Sequence, residues 1–153
     1  MEEIIDESVK AAIEAAARSL ARCEQCRSSL ERKLLQKEYE PQVIKAALDY
    51  LEEKNYLNDE RYAAIWIKNH CDFKPQGRIR LIRDLCVRGV SRQVAVEAVE
   101  SYFENVDEND LCYQAYQKLL SKNKTEQKII KSLADSGFSY KIIQKVLKRR
   151  DSQ

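Results

Sequence analysis

Five cysteines and one histidine are the residues of this 153-residue chain best suited to metal binding or nucleophilic chemistry. Cys23-x-x-Cys26 is the only close cysteine pair, and neither a second such pair nor a nearby histidine completes a zinc site. His70 and Cys71 are neighbours, and on a helix adjacent side chains diverge by about 100°, which works against a Cys/His nucleophile. Cys86, between Leu85 and Val87, reads as core, and His70 near a loop reads as a solvated or structural residue. Three glycines leave no room for a phosphate loop or a dinucleotide fingerprint. The expectation is a protein that is not an enzyme and uses no metal and no cofactor. The chemistry that remains is electrostatic. Phe73-Lys74-Pro75-Gln76-Gly77-Arg78-Ile79-Arg80 brings cations into the first turn of a helix, the wrong end for its dipole, and so points to phosphate. Arg80 and Arg83 share a face, Arg78 points largely away, and Arg80 can also pair with Asp84 at i,i+4.

Every element that positions these residues has helical periodicity. Ile5, Val9, Ile13, Ala16, Ala17 and Leu20 recur at three and four; Leu30, Leu34 and Leu35 follow. Pro41 stands in the first turn of the next helix, Asn58 or Asp59 caps another, and Pro75 opens the arginine-bearing one. Ser91, Asp107, Thr125 and Ser139 each precede a further apolar-periodic run, which makes nine helices. The helices repeat. Leu34, Leu85 and Leu133 are followed at matched spacing by Glu38, Gly89 and Gly137, then Tyr39, Val90 and Phe138. The period is 51 and then 48 residues, the difference fitting a longer loop around 68–77. The fold class expected is all-α, three tandem three-helix repeats spanning 1–54, 55–104 and 105–153. At the repeated corner a left-handed residue ends one helix, so Glu38 in place of glycine implies a less regular or less stable turn.

Charge is uneven along the chain although the net is only +2. From Lys68 to Arg92 seven basic residues face two acidic ones, and from Lys118 to Arg150 ten face two. Between them, Glu97 to Asp110 holds six acidic residues and no basic one. Such blocks suit phosphate on one side and protein on the other, and they also suit helices with solvated charged faces. No run approaches the ~18 apolar residues of a membrane span. The acidic start, unlike a signal peptide, and the odd number of cysteines lead to a cytoplasmic address with reduced thiols.

Three segments carry a family resemblance. They are Arg27-Ser28-Ser29-Leu30-Glu31-Arg32-Lys33-Leu34; Leu51 with Asn55-Tyr56-Leu57-Asn58-Asp59-Glu60-Arg61-Tyr62-Ala63; and Gly77-Arg78-Ile79-Arg80 with Leu85 and Arg88-Gly89-Val90. At this spacing the chain resembles the RecX family, bacterial regulators of the RecA recombinase. It departs at Glu38, where glycine is usual, and at Asn58, where aspartate is common. The resemblance implies a curved, elongated array of three-helix units that binds RecA and its filament on single-stranded DNA. It also implies weak, salt-dependent binding of single- and double-stranded DNA. The implied effect is modulation, mostly inhibition, of recombinase, ATPase and coprotease activities, and so of DNA repair, recombination and the SOS response. Arg78, Arg80, Arg83 and Arg88 are the expected phosphate contacts, with Lys122, Lys124, Lys128 and Lys131 as a second patch. Tyr56, Leu57, Asn58, Asp59, Arg61, Tyr62, Gly77, Gly89 and Gly137 are read as turn and motif residues, with Asp59, Glu60 and Arg61 as an exposed charged corner. A monomer is expected, because each unit has neighbours within the chain. The alternatives are a helical-repeat interaction scaffold or a nucleic-acid binder without a recombinase partner.

Overall fold

A computed structural model describes residues 6–152; the acidic start before Asp6 and the Ile5 position lie outside the described residues. Among the described residues there are nine α-helices and no strand. They are α1 (Glu7–Arg22), α2 (Arg27–Gln36), α3 (Pro41–Glu53), α4 (Asp59–Phe73), α5 (Arg78–Val87), α6 (Arg92–Glu104), α7 (Glu108–Leu120), α8 (Glu126–Asp135) and α9 (Tyr140–Asp151). The predicted caps start most of them. Asn58 accepts from the Arg61 amide at 2.9 Å, and Ser91, Asp107, Thr125 and Ser139 each accept an amide of the following turn. Pro41 takes the first helical position of α3, where its missing N–H is not needed.

Two expectations are corrected. Pro75 does not open α5; α4 runs on to Phe73, residues 74–77 form a link, and α5 begins at Arg78. The Gly77 amide donates to the Ser136 carbonyl at 2.9 Å, which commits the link to a tertiary bond instead of a helical turn. The extra length of the second repeat is likewise not a long loop at 68–77. It lies in α4, 15 residues against 13 in α7, and in the longer turn before α4.

The chain divides into two compact units. The first comprises the residues up to Ala63 with Arg88–Val90. Its core joins Ala15 and Ala16 of α1 to Leu30 and Leu34 of α2 and to Ile44, Leu48 and Leu51 of α3, with Leu57 from the following turn. The second comprises Ala64–Val87 and the residues from Ser91 onward. There α7, α8 and α9 bury Cys112, Tyr116, Ile129, Leu133, Phe138, Ile143 and Val146 together. Apolar residues at helical spacing meet in each case, with burial of such side chains contributing about 1.5–3 kcal/mol apiece.

The repeated corners show what a glycine is for. Glu38, Gly89 and Gly137 all have left-handed backbones, with φ of 67°, 104° and 95°. The Glu38 corner is as regular as the Gly137 corner. Glu38 N–H donates to Leu35 at 3.0 Å and Tyr39 N–H to Leu34 at 3.3 Å; Gly137 N–H donates to Ala134 at 3.0 Å and Phe138 N–H to Leu133 at 3.2 Å. The corners differ in what surrounds them. A Cβ on Gly89 overlaps Ser28, and one on Gly137 overlaps Arg80. Glu38 is exposed, so its side chain has room and only the backbone conformation counts against it.

Candidate nucleic-acid interface

The start of α5 is built on the end of α8. A Cβ at Gly77 would overlap the Gly137 carbonyl, and the Ile79 amide donates to that carbonyl at 3.2 Å. Two arginines then leave this start in opposite directions. The Arg78 amide donates to Glu108 Oε1 at 3.0 Å and its Nε to Glu108 Oε2 at 2.8 Å. The same guanidinium pairs with Glu100 and lies 4.9 Å from the Phe103 ring centroid. Glu100 and Glu108 push the Arg78 pKa up, and Glu108 itself is buried. Arg78 therefore neutralises a buried carboxylate. Arg80 turns the other way, its Nη1 at 3.3 Å from the Asp135 carbonyl and its Nε at 3.4 Å from Asp84, the i,i+4 pair read from the spacing.

Arg80 opens onto a groove of about 590 Å³ in the second unit. Phe73, Lys74 and Pro75 line one part, Ala115, Lys118 and Leu119 of α7 another, and Lys122 and Lys124 the turn that follows α7. Ser132, Asp135 and Ser136 complete the lining from α8 and its end. Five cations thus face a single carboxylate, and the Phe73 ring is 94% exposed. An open, positively charged concavity with apolar patches on its wall attracts a phosphate backbone and leaves it partly solvated. The groove brings together residues of both basic blocks: Arg80 from the first, Lys122 and Lys124 from the second. Lys74 and Lys118 belong to it as well. Both fall inside the basic windows, but nothing in the spacing marks them, because the groove joins segments some forty residues apart. The remaining candidates do not line it. Arg83 is exposed and meets Asp84 at 3.5 Å. Lys128 and Lys131 are exposed on α8. Arg88 belongs to the first unit, where its carbonyl accepts a bond from the Cys26 thiol at 3.3 Å and its side chain bonds the Tyr62 hydroxyl.

The motif before α4 is structural. Asn55 is left-handed at φ 61°, Tyr56 is exposed and Leu57 buried. Arg61 ties this turn down, donating to the carbonyls of Asn55 at 3.0 Å and Tyr56 at 3.1 Å and pairing with Glu24 at 2.6 Å. Of the expected charged corner only Glu60 is exposed; Asp59 and Arg61 are half-buried. Asp59 does not cap its own helix. Its Oδ1 accepts the Arg27 amide of α2 at 2.8 Å, where Cys26 supplies no side-chain cap. Arg27 and Arg78 are 51 residues apart, and each has its amide capped by a carboxylate at the start of the next repeat's first helix, Asp59 or Glu108. Each also pairs with the matching acid on the helix that follows it, Asp49 at 2.9 Å for Arg27 and Glu100 for Arg78.

None of the five cysteines is in a disulfide. Burial pushes Cys71 up and holds Cys112 at about 12. Cys86 is half-buried, not full core. His70 stacks on Trp66 with ring centroids 3.9 Å apart. Among the described residues no group of three or more His, Cys, Asp or Glu side chains could hold a metal ion, and no helix is long and apolar enough to cross a membrane.

Repeated helix starts, repeated left-handed corners and a period near fifty residues define a tandem three-helix-repeat protein. Family models carry that class to a particular family. The first three-helix domain of RecX matches residues 12–51 and the second matches 58–99, so the chain belongs to the RecX family of regulatory proteins. The regulatory protein RecX of Treponema pallidum (strain Nichols) is 31% identical over 132 residues, covering 86% of this chain and 80% of the relative. That of Clostridium perfringens (strain 13 / Type A) is 30% identical over 142 residues, covering 88% and 66%. The crystal structure of RecX from Lactobacillus salivarius superposes with a TM-score of 0.86 at 21% identity, over 96% of this chain and 99% of that one. A second crystal structure of a regulatory protein RecX gives 0.81 at 18% identity, over 93% and 72%. At these identities the two structures speak for the fold.

Proposed function

We propose that this chain binds DNA and the RecA filament formed on it, and that it modulates RecA, chiefly by inhibition, without catalysing a reaction itself. The observation that carries the DNA part is the groove of the second unit, whose lining holds five cations and one carboxylate, Asp135, with Arg80 also pairing with Asp84. Arg80, Lys122 and Lys124 are the phosphate contacts, joined by Lys74 and Lys118. Arg83, Lys128, Lys131 and Arg88 are outlying cations that add to the field and not to the groove. Arg78 is assigned to the fold, since both its edges are taken by carboxylates. The RecA part rests on family membership. The chain acts as a cytoplasmic monomer of three repeats, 1–54, 55–104 and 105–153, a division supported by the matched corners and matched helix-start caps.

The test is RecA ATPase on single-stranded DNA with this chain titrated in. Hydrolysis should fall as the chain is added and filaments should shorten. Unchanged hydrolysis together with unchanged filament length would overturn the RecA reading. DNA binding without RecA should weaken steeply with salt, as expected for counterion release.

A further inference from the structure

We infer that Phe73 is a stacking platform for an unpaired base, so that the groove takes single-stranded nucleic acid in preference to duplex. This rests on the phosphate-binding reading above. Phe73 ends α4 with its ring 94% exposed, the most exposed of the large hydrophobic residues among the described part of the chain. The ring is out in water although residues on either side of it are packed into the fold. Cys71 and Gln76 on either side are buried, and Pro75 restricts the link between them. No packing need of the fold accounts for an aromatic ring held this way.

Its surroundings do account for it. Phe73 stands on the wall of the groove beside Lys74 and Pro75, with Arg80, Lys122 and Lys124 lining the same concavity. A strand whose phosphates meet those cations presents bases to the ring. An unpaired base has a free π face and gains by stacking; a paired base in a duplex already has both faces covered. Every base offers such a face, so the selection is for strandedness and not for sequence.

The experiment uses the full chain with three probes of matched length: an oligothymidylate, an abasic phosphodiester strand and a duplex. The intact chain should bind the oligothymidylate about ten-fold tighter than the abasic strand, as for one stacked base. Phe73→Ala should lose that preference while keeping its affinity for the abasic strand and its thermal midpoint. Phe73→Trp should keep the preference, and its new indole should be quenched by the oligothymidylate and not by the abasic strand. Trp66, the chain's own tryptophan, is buried, so the signal is attributable. Equal affinity of the intact chain for oligothymidylate and abasic strand, or an unchanged preference in Phe73→Ala, overturns the stacking inference and leaves the groove intact. Failure to bind any of the three probes overturns both readings.

Discussion

Arg78 and Arg80 are two residues apart on one helix and meet opposite surroundings. Arg78 faces the acidic block, where Glu108 is buried against its amide and guanidinium and Glu100 closes the other edge. Arg80 faces a groove in which Lys74, Lys118, Lys122 and Lys124 outnumber Asp135. The first side is electrostatically balanced within the protein; the second keeps an excess of cations, although Arg80 itself pairs with Asp84. Arg78 is clasped by carboxylates on both edges and committed to the fold, whereas Arg80 has Asp84 as its one carboxylate partner and stands among lysines, which makes it the better candidate for a phosphate.

The largest effect is expected where α5 is seated on the end of α8. Gly137→Ala puts a Cβ into Arg80 and leaves alanine left-handed, so it should destabilise the second unit by about 3 kcal/mol. Denaturant titration reads this, and a loss under about 1 kcal/mol would mean that the corner yields. Arg78→Ala strands the Glu108 carboxylate. A loss of about 2 kcal/mol is expected, smaller than for a fully buried pair because Arg78 remains partly solvated. A Glu108→Gln change in that background should return part of it.

The equivalent junction in the first unit sharpens the contrast at a smaller scale. Asp59→Ala removes the cap on the Arg27 amide and should cost about 1 kcal/mol, whereas Asp59→Asn keeps an acceptor and should cost little. Burial raises the Asp59 pKa above its ordinary 3.8. The folded state therefore holds that proton more tightly than the unfolded state does. Asp59's contribution to stability must fall as pH rises from 3.8 through its folded pKa, and Asp59→Asn should abolish that component of the pH profile. The smallest effect is a gain. Glu38→Gly relieves a left-handed backbone at an exposed corner and should stabilise the first unit by under about 1 kcal/mol, visible as a small rise in thermal midpoint.

The helices were readable in the sequence because their signals are local. Ser91, Thr125 and Ser139 cap the turn that follows them, and Leu34, Leu85 and Leu133 repeat at matching places before the corners. What could not be read depends on partners far along the chain. Asp59 looks like the cap of its own helix and is bonded 32 residues back. Arg78 looks like a phosphate ligand until Glu100 and Glu108, 22 and 30 residues on, come into contact with it. Pro75 has the form of a helix start, and the bond from Gly77 to Ser136 overrides it. Phe73 carries no periodic signal, and only the packing of its neighbours shows that the ring is left outside. Glycine at the corners was legible as a conformational need; its second role, close approach to Ser28 and Arg80, was not.

The most direct test measures how affinity for an oligothymidylate changes with salt in two variants. Lys122→Ala/Lys124→Ala should flatten the slope of log affinity against log salt by about 1.4, from ~0.7 for each phosphate no longer neutralised, with stability unchanged. Arg78→Gln should leave the slope as it is while lowering stability. An unaltered slope in the double-lysine variant, or a flattened one in Arg78→Gln, would contradict the division between a cation that holds the fold and cations that hold a phosphate strand.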